Sequence, residues 1–182
     1  MLERHRAVVR KVLLDEHMAI EATHLGNVVA NGVNLAGTHG RSAEFGHLCV
    51  EPDGRPCSCG KRGCLETYCS AQVLSSAGSG SVDGFFSRLE AGDERARQIW
   101  GSYAAHLARA IHDICMVLDG DIVLGGTVAS HLEAHLDDLR ERVGELDPFD
   151  PGASYLKVSR HPLDAVPLGA ALTLVARFFG DA

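Results

Sequence analysis

His47-Leu48-Cys49-Val50-Glu51-Pro52-Asp53-Gly54-Arg55-Pro56-Cys57-Ser58-Cys59-Gly60-Lys61-Arg62-Gly63-Cys64-Leu65-Glu66 sets a histidine ahead of a Cys-x-Cys-Gly-x-x-Gly-Cys run. The residue types read as a zinc site: His47, Cys57, Cys59 and Cys64 supply one nitrogen and three sulfurs. Four such ligands satisfy tetrahedral Zn²⁺ without water, so the site is expected to be structural and not catalytic. The glycines let the chain turn tightly enough for three thiolates to converge. A disulfide pair or unrelated core cysteines are the other readings. The first is weak, because Cys57 and Cys59 are too close in sequence for an unstrained bridge. A loop fixed in this way would hold Glu66, just past the last cysteine, and Glu44, just before His47, on one scaffold. Those two carboxylates are the candidate ligand-binding groups.

Glu44-Phe45-Gly46-His47, followed by Cys57-x-Cys59-Gly60-x-x-Gly63-Cys64-Leu65-Glu66, resembles the signature of ROK proteins, a family of sugar-responsive repressors, unassigned reading frames and sugar kinases. The resemblance implies zinc on His47, Cys57, Cys59 and Cys64, and sugar hydroxyls on Glu44, His47 and Glu66. The chemistry agrees with it, since a carboxylate accepts hydrogen bonds from two neighbouring hydroxyls, and charged acceptors bind more strongly than neutral ones. Glu44 and Glu66 as loop-surface carboxylates, or as partners of the zinc ligands, is the plainer alternative. His47 serves both metal and sugar only through its two different ring nitrogens.

The chain has 182 residues, 46% hydrophobic and 23% charged, which suits one sizeable core and a single domain. Seventeen Lys and Arg against 24 Asp and Glu leave a net charge of −7, and no basic cluster is interleaved with aromatics, so no nucleic-acid binding is expected of the chain itself. No apolar run reaches membrane-spanning length, and charges run through the first seventeen residues, so neither signal peptide nor anchor is expected. Zinc spacing uses three of the six cysteines. Cys49, Cys69 and Cys115 sit where free thiols are common, and a reducing cytoplasm fits.

Outward from the cysteine loop, residues 17–24 and 27–30 read as short strands. Asn31-Gly32 is a hairpin turn, so an antiparallel unit is expected to open the chain. Glu66 to Ala77 reads as one helix, ending in Ala77-Gly78-Ser79-Gly80-Ser81, a flexible hinge or helix connector. Val82 to Ala91 follows at helical spacing, then one long helix from Glu94 to Leu118 with a stripe of Ile99, Tyr103, Leu107, Ala110, Ile111, Ile114 and Val117. His106 and His112 read as ordinary packed or solvated histidines. Asp121 to Ala129 is an apolar strand entering Gly125-Gly126 and then a helix. His131 to Val143 is a charged surface helix, Tyr155 to Val158 a short strand, and Leu168-Gly169-Ala170-Ala171-Leu172 begins a terminal helix. The whole reads as an α/β layer.

The resemblance runs from about Ala19 onward and implies the C-terminal lobe of an actin-like, ribonuclease-H-like ATPase fold, with the zinc loop at 47–66. It places the nucleotide contacts of kinase members at Gly125 and Gly126. An upstream Asp-x-Gly-Gly-Thr loop, an Asn-Asp catalytic pair and the helix-turn-helix of repressors are not found, so no catalytic residue is assigned. Where kinases carry Thr-Gly-x-Gly, this chain reads Thr23-His24-Leu25-Gly26, and an imidazole there obstructs close phosphate approach. ATP use is therefore doubtful. The expectation is a sugar-binding, zinc-containing effector lobe of a ROK-type transcriptional regulator, truncated, with a monosaccharide effector. The alternative is a fragment of an ATP-dependent glucokinase-like sugar kinase. Self-association is expected too, because a lobe alone leaves a sheet edge open.

Overall fold

A computed structural model describes residues 19–21, 28–30, 33–35, 37–39 and 41–160. The expected terminal helix from Leu168, the Thr23-His24-Leu25-Gly26 segment and the Asn31-Gly32 turn lie outside the described residues. The elements are β1 (Ala19–Glu21), β2 (Val29–Ala30), β3 (Val33–Asn34), a 3-10 turn at Phe45–His47, α1 (Glu66–Cys69), α2 (Ala71–Ala77), α3 (Val82–Glu90) and α4 (Glu94–Leu118). Then come β4 (Ile122–Gly125), α5 (Ala129–Leu132), a 3-10 turn at Glu133–His135, α6 (Leu136–Gly144) and β5 (Leu156–Val158).

The sheet is the first correction to the sequence reading. β2 and β3 do pair antiparallel, Val29 opposite Asn34 and Ala30 opposite Val33. β1, however, leaves that unit and pairs in parallel with β4, Ala19 opposite Val123, while β5 flanks β4 on its other side, also in parallel. β4 is thus the central strand, order β1-β4-β5. Its residues are buried throughout, which is why it reads as a continuous apolar run and not as an alternation.

Helix α4 spans the residues that its periodicity sets out. The Asp93 carboxylate accepts the Ala96 N–H at 2.8 Å to start it, and Asp119 in the left-handed region, φ 45°, ends it. Trp100, Tyr103, Leu107, Ile111 and Ile114 face the core with Phe85, Phe86, Leu74, Leu139 and Leu156. Each such side chain removed from water contributes about 1.5–3 kcal/mol. Val117, assigned to the same stripe, is instead 81% exposed in the last turn.

Two expected helices are broken. Ser70, at φ −87° and ψ 159°, is extended and separates α1 from α2. Thr67, Tyr68, Cys69 and Ser70 are all weak helix formers, and Cys69 is clamped to α4. The Tyr103 hydroxyl donates to the Cys69 carbonyl at 2.9 Å, and the Cys69 thiol donates to the Tyr103 carbonyl at 3.3 Å. The 131–143 segment divides at the Glu133–His135 turn, where His135 leaves helical geometry at φ −116°. Of the two glycines in the connector, Gly78 is closely packed, since a Cβ there would lie 2.3 Å from the Ser81 carbonyl oxygen, whereas a Cβ on Gly80 would meet nothing within 4 Å. Among the described residues no helix is long and apolar enough to cross a membrane.

Candidate metal centre and its flanking carboxylates

The loop before α1 is shaped by turns and two short bridges. Cys49 pairs with Cys64, and Pro56 with Arg62. The Cys57 N–H donates to the Lys61 carbonyl at 2.9 Å, and the Gly60 N–H donates to the Cys57 carbonyl at 3.0 Å, closing a knuckle over residues 57–61. Gly60 and Gly63 hold φ of 86° and 75°, which side chains resist.

The knuckle brings all four sequence-predicted ligands together: the ligand atoms of His47, Cys57, Cys59 and Cys64 lie within 4.8 Å of one another. The Cys59 and Cys64 sulfurs are 3.7 Å apart, and the Cys57 sulfur lies 3.6 Å from His47 Nδ1. A tetrahedral ion with metal–sulfur bonds of about 2.3 Å and a metal–nitrogen bond of about 2.05 Å requires roughly 3.8 Å between sulfurs and roughly 3.6 Å from sulfur to nitrogen. The donor set therefore fits a four-coordinate divalent ion. The Cys59 N–H also points at the Cys57 sulfur, at 3.4 Å.

The electrostatics agree. Burial pushes the Cys64 thiol up to about 12 and raises that of Cys57, while the backbone hydrogen bond from Lys61 lowers that of Cys59. Three sulfurs this close disfavour one another's charge, and a divalent cation among them reverses that balance. Cys64 is fully buried and Cys57 nearly so, whereas Cys59 is exposed.

Glu66 opens α1 directly beside this group. Its Oε1 accepts from the Cys57 thiol at 2.8 Å and from the Ser58 hydroxyl at 3.2 Å, and stands 3.9 Å from His47 Nδ1. The turn carrying His47 rests against it, for a Cβ on Gly46 would lie 3.6 Å from Glu66 Cβ. Glu44 heads that turn, its carbonyl accepting the His47 N–H at 3.0 Å, with its side chain exposed. Imidazole Nδ1 thus faces the sulfurs. Gly125 and Gly126 lie apart from this group in the chain, at the end of β4, where Gly126 turns with φ 82°.

Sequence reasoning missed the support behind the loop. Tyr68 stacks on His106 at 4.2 Å between ring centroids, and the Arg55 guanidinium lies 4.5 Å from the Tyr68 ring centre. The Tyr68 hydroxyl accepts the Arg55 N–H at 2.8 Å, and His106 Nε2 stands 3.6 Å from the Glu51 carboxylate. His106, read as an ordinary packed histidine, is packed, against the residue that anchors the loop. Ser58 was legible in principle, since any residue between two ligands of one ion lies beside the site.

Comparison with known proteins identifies the family. The family model described as the ROK family matches residues 23–175. N-acetylmannosamine kinase of Citrobacter koseri is 33% identical over 157 residues, covering 81% of this chain and 52% of the kinase. The same enzyme of an Escherichia coli strain, O139:H28, is 32% identical over 154 residues with the same coverage. The chain thus spans about half the length of the curated relatives it matches. Among solved structures, the ROK hexokinase of Thermus thermophilus superposes with a TM-score of 0.70 at 27% identity, over 91% of this chain and 62% of that one. The ROK glucokinase of Streptomyces griseus, solved with glucose and AMPPNP, gives 0.69 at 26% identity, over 85% and 58%. A ROK transcriptional regulator homologous to the MLC protein of Escherichia coli shares the fold at 0.66 and 22% identity, over 84% and 44%. With the family model matching most of its length, the chain belongs to the ROK family.

Proposed function

We propose that this chain is the sugar-binding lobe of a ROK protein, braced by a structural zinc ion on His47, Cys57, Cys59 and Cys64. The observation that carries the proposal is the Glu66 carboxylate, held against the Cys57 thiol and His47 at the mouth of a four-ligand group. His47 Nδ1 would meet the metal, leaving Nε2 for a hydroxyl. Glu66, with Glu44 at the head of the packed turn, would accept hydroxyl hydrogens from one face of a monosaccharide. The ion supplies no chemistry to the sugar; it orders the loop. Loading it removes the Cys57 proton that Glu66 now accepts, and so returns that carboxylate oxygen to the ligand.

What the occupied lobe does divides into two readings. His24, standing where phosphate-cradling loops have glycine, favours the effector lobe of a transcriptional regulator, which needs no base. The identity of 32–33% to N-acetylmannosamine kinases favours the C-terminal part of a sugar kinase, with Gly125 and Gly126 beside the nucleotide. Under that reading the missing base and phosphate loop belong to a further segment.

Calorimetric titration of the zinc-loaded chain with N-acetylmannosamine, N-acetylglucosamine, glucose and xylose tests the site, with Glu66→Gln as control. Binding of one sugar, lost in Glu66→Gln while zinc content stays unchanged, supports it. Equal binding by the variant removes Glu66 from the site. A coupled assay for ATP-dependent phosphorylation of the bound sugar, run on the chain and on any longer form of it, then separates the readings: turnover supports the kinase, and binding without turnover the sensor.

A further inference from the structure

We propose that Cys59 and Cys64 are an oxidation site: hydroperoxides join them in a disulfide, which dismantles the metal centre and so switches off the carboxylate at its mouth. The proposal rests on the metal reading above and goes beyond it, since it gives the thiolates a second chemistry.

The geometry selects the pair. The two sulfurs stand 3.7 Å apart, so bond formation at about 2.05 Å needs each to move by less than about 1 Å. Cys59 is exposed to an incoming oxidant, while Cys57 and Cys64 are buried. Cys59 is the solvent-exposed member of the pair, so movement of its sulfur is not confined by a buried wall. Cys57 is a poor partner for Cys59, being separated by one residue, and its sulfur is engaged by Glu66 at 2.8 Å. Cys49, though exposed and opposite Cys64 in the bridge, directs its sulfur to the Arg62 carbonyl at 3.9 Å and lies outside the four-ligand group.

The chemistry balances as a two-electron oxidation. The Cys59 thiolate attacks the peroxide oxygen; an S–O bond forms, the O–O bond breaks, and hydroxide or an alkoxide leaves and takes its proton from solvent water. The Cys64 sulfur then displaces hydroxide from the sulfenic acid, and the disulfide forms. Two thiolates are oxidised and one peroxide is reduced. His47 and Cys57 remain, too few to retain a divalent ion, and the knuckle that presents Glu66 loses its brace.

The test treats the zinc-loaded chain with hydrogen peroxide, follows zinc release with a chromophoric chelator, and maps cross-links by mass spectrometry without reduction. The expected result is release of the bound zinc together with a Cys59–Cys64 cross-link within one chain. Dithiothreitol and added zinc should reverse both, and sugar affinity should fall by about tenfold or more while oxidised. Cys49→Ser should release zinc at the wild-type rate. Retention of zinc as peroxide is consumed, a cross-link through Cys49, or slowed release in Cys49→Ser would each overturn the proposal. A chain isolated without zinc would sink the metal reading, and the cross-link map would still decide the pair.

Discussion

Gly60 and Gly63 offer a matched pair of perturbations inside one loop. Both hold a left-handed φ, so alanine at either position costs about 1–2 kcal/mol for the backbone conformation alone. At Gly60 that is the whole cost, because a Cβ there meets nothing within 4 Å. At Gly63 the Cβ would lie 1.8 Å from the Glu51 carbonyl oxygen and 2.7 Å from its carbon, both backbone atoms that cannot rotate aside. The segment carrying Glu51 must withdraw by more than 1 Å, which strains the Val50 and Glu51 N–H bonds to the Gly63 carbonyl. Overpacking of this kind adds about 1–3 kcal/mol. The loop is built largely from turns, so its ordering free energy enters the apparent metal affinity. At about 1.4 kcal/mol per tenfold, Gly60→Ala should weaken zinc binding by roughly 5- to 30-fold and Gly63→Ala by roughly 30- to several-thousand-fold. Competition against a chelator of known affinity measures both. Equal losses in the two variants would refute the argument from the Glu51 contact, and no loss in either would detach metal binding from the geometry of this loop.

Cys64→Ser should lose zinc outright and Cys59→Ser most of it, read by metal analysis after dialysis, since structural-site binding energy is folding energy; full retention in both variants would remove them from the ligand set. Tyr103→Phe should lower stability by about 1–2 kcal/mol in urea unfolding, because the buried Cys69 carbonyl loses its 2.9 Å donor; an unchanged midpoint would show that this hydroxyl does not hold α1. The Arg88 side chain beside Asp93 holds that carboxyl below the usual carboxylate range, and the Phe149 N–H, with further donors, does the same for Asp147. Their folded values lie below their unfolded ones. The stability they contribute is therefore present above about pH 4 and is lost as pH falls further; Asp147→Asn should be less stable than the wild type near neutral pH, with the difference shrinking as pH falls below about 4, and a pH-independent difference would exclude Asp147 as a contributor.

The cluster of His47, Cys57, Cys59 and Cys64, α4 and β4 were legible in the sequence because each is encoded locally. Cysteines two and five residues apart with glycines between them can turn onto one ion whatever the rest of the fold does. A helix of 25 residues with a persistent apolar stripe and an Asp N-cap outweighs most tertiary influence, and an unbroken apolar run of four signals a strand buried on both faces. Only the tertiary structure decided where β1 pairs, since strands some hundred residues apart carry no mark of their partner, and the hairpin signal next door drew it to the wrong neighbour. It also decided the break at Ser70, which follows from the Cys69–Tyr103 clamp, and the Tyr68, Arg55 and His106 stack behind the loop. Spacing within one segment fixes which side chains can meet an ion; which surface then supports that segment is a matter of contacts between distant parts of the chain, and those exist only once it has folded.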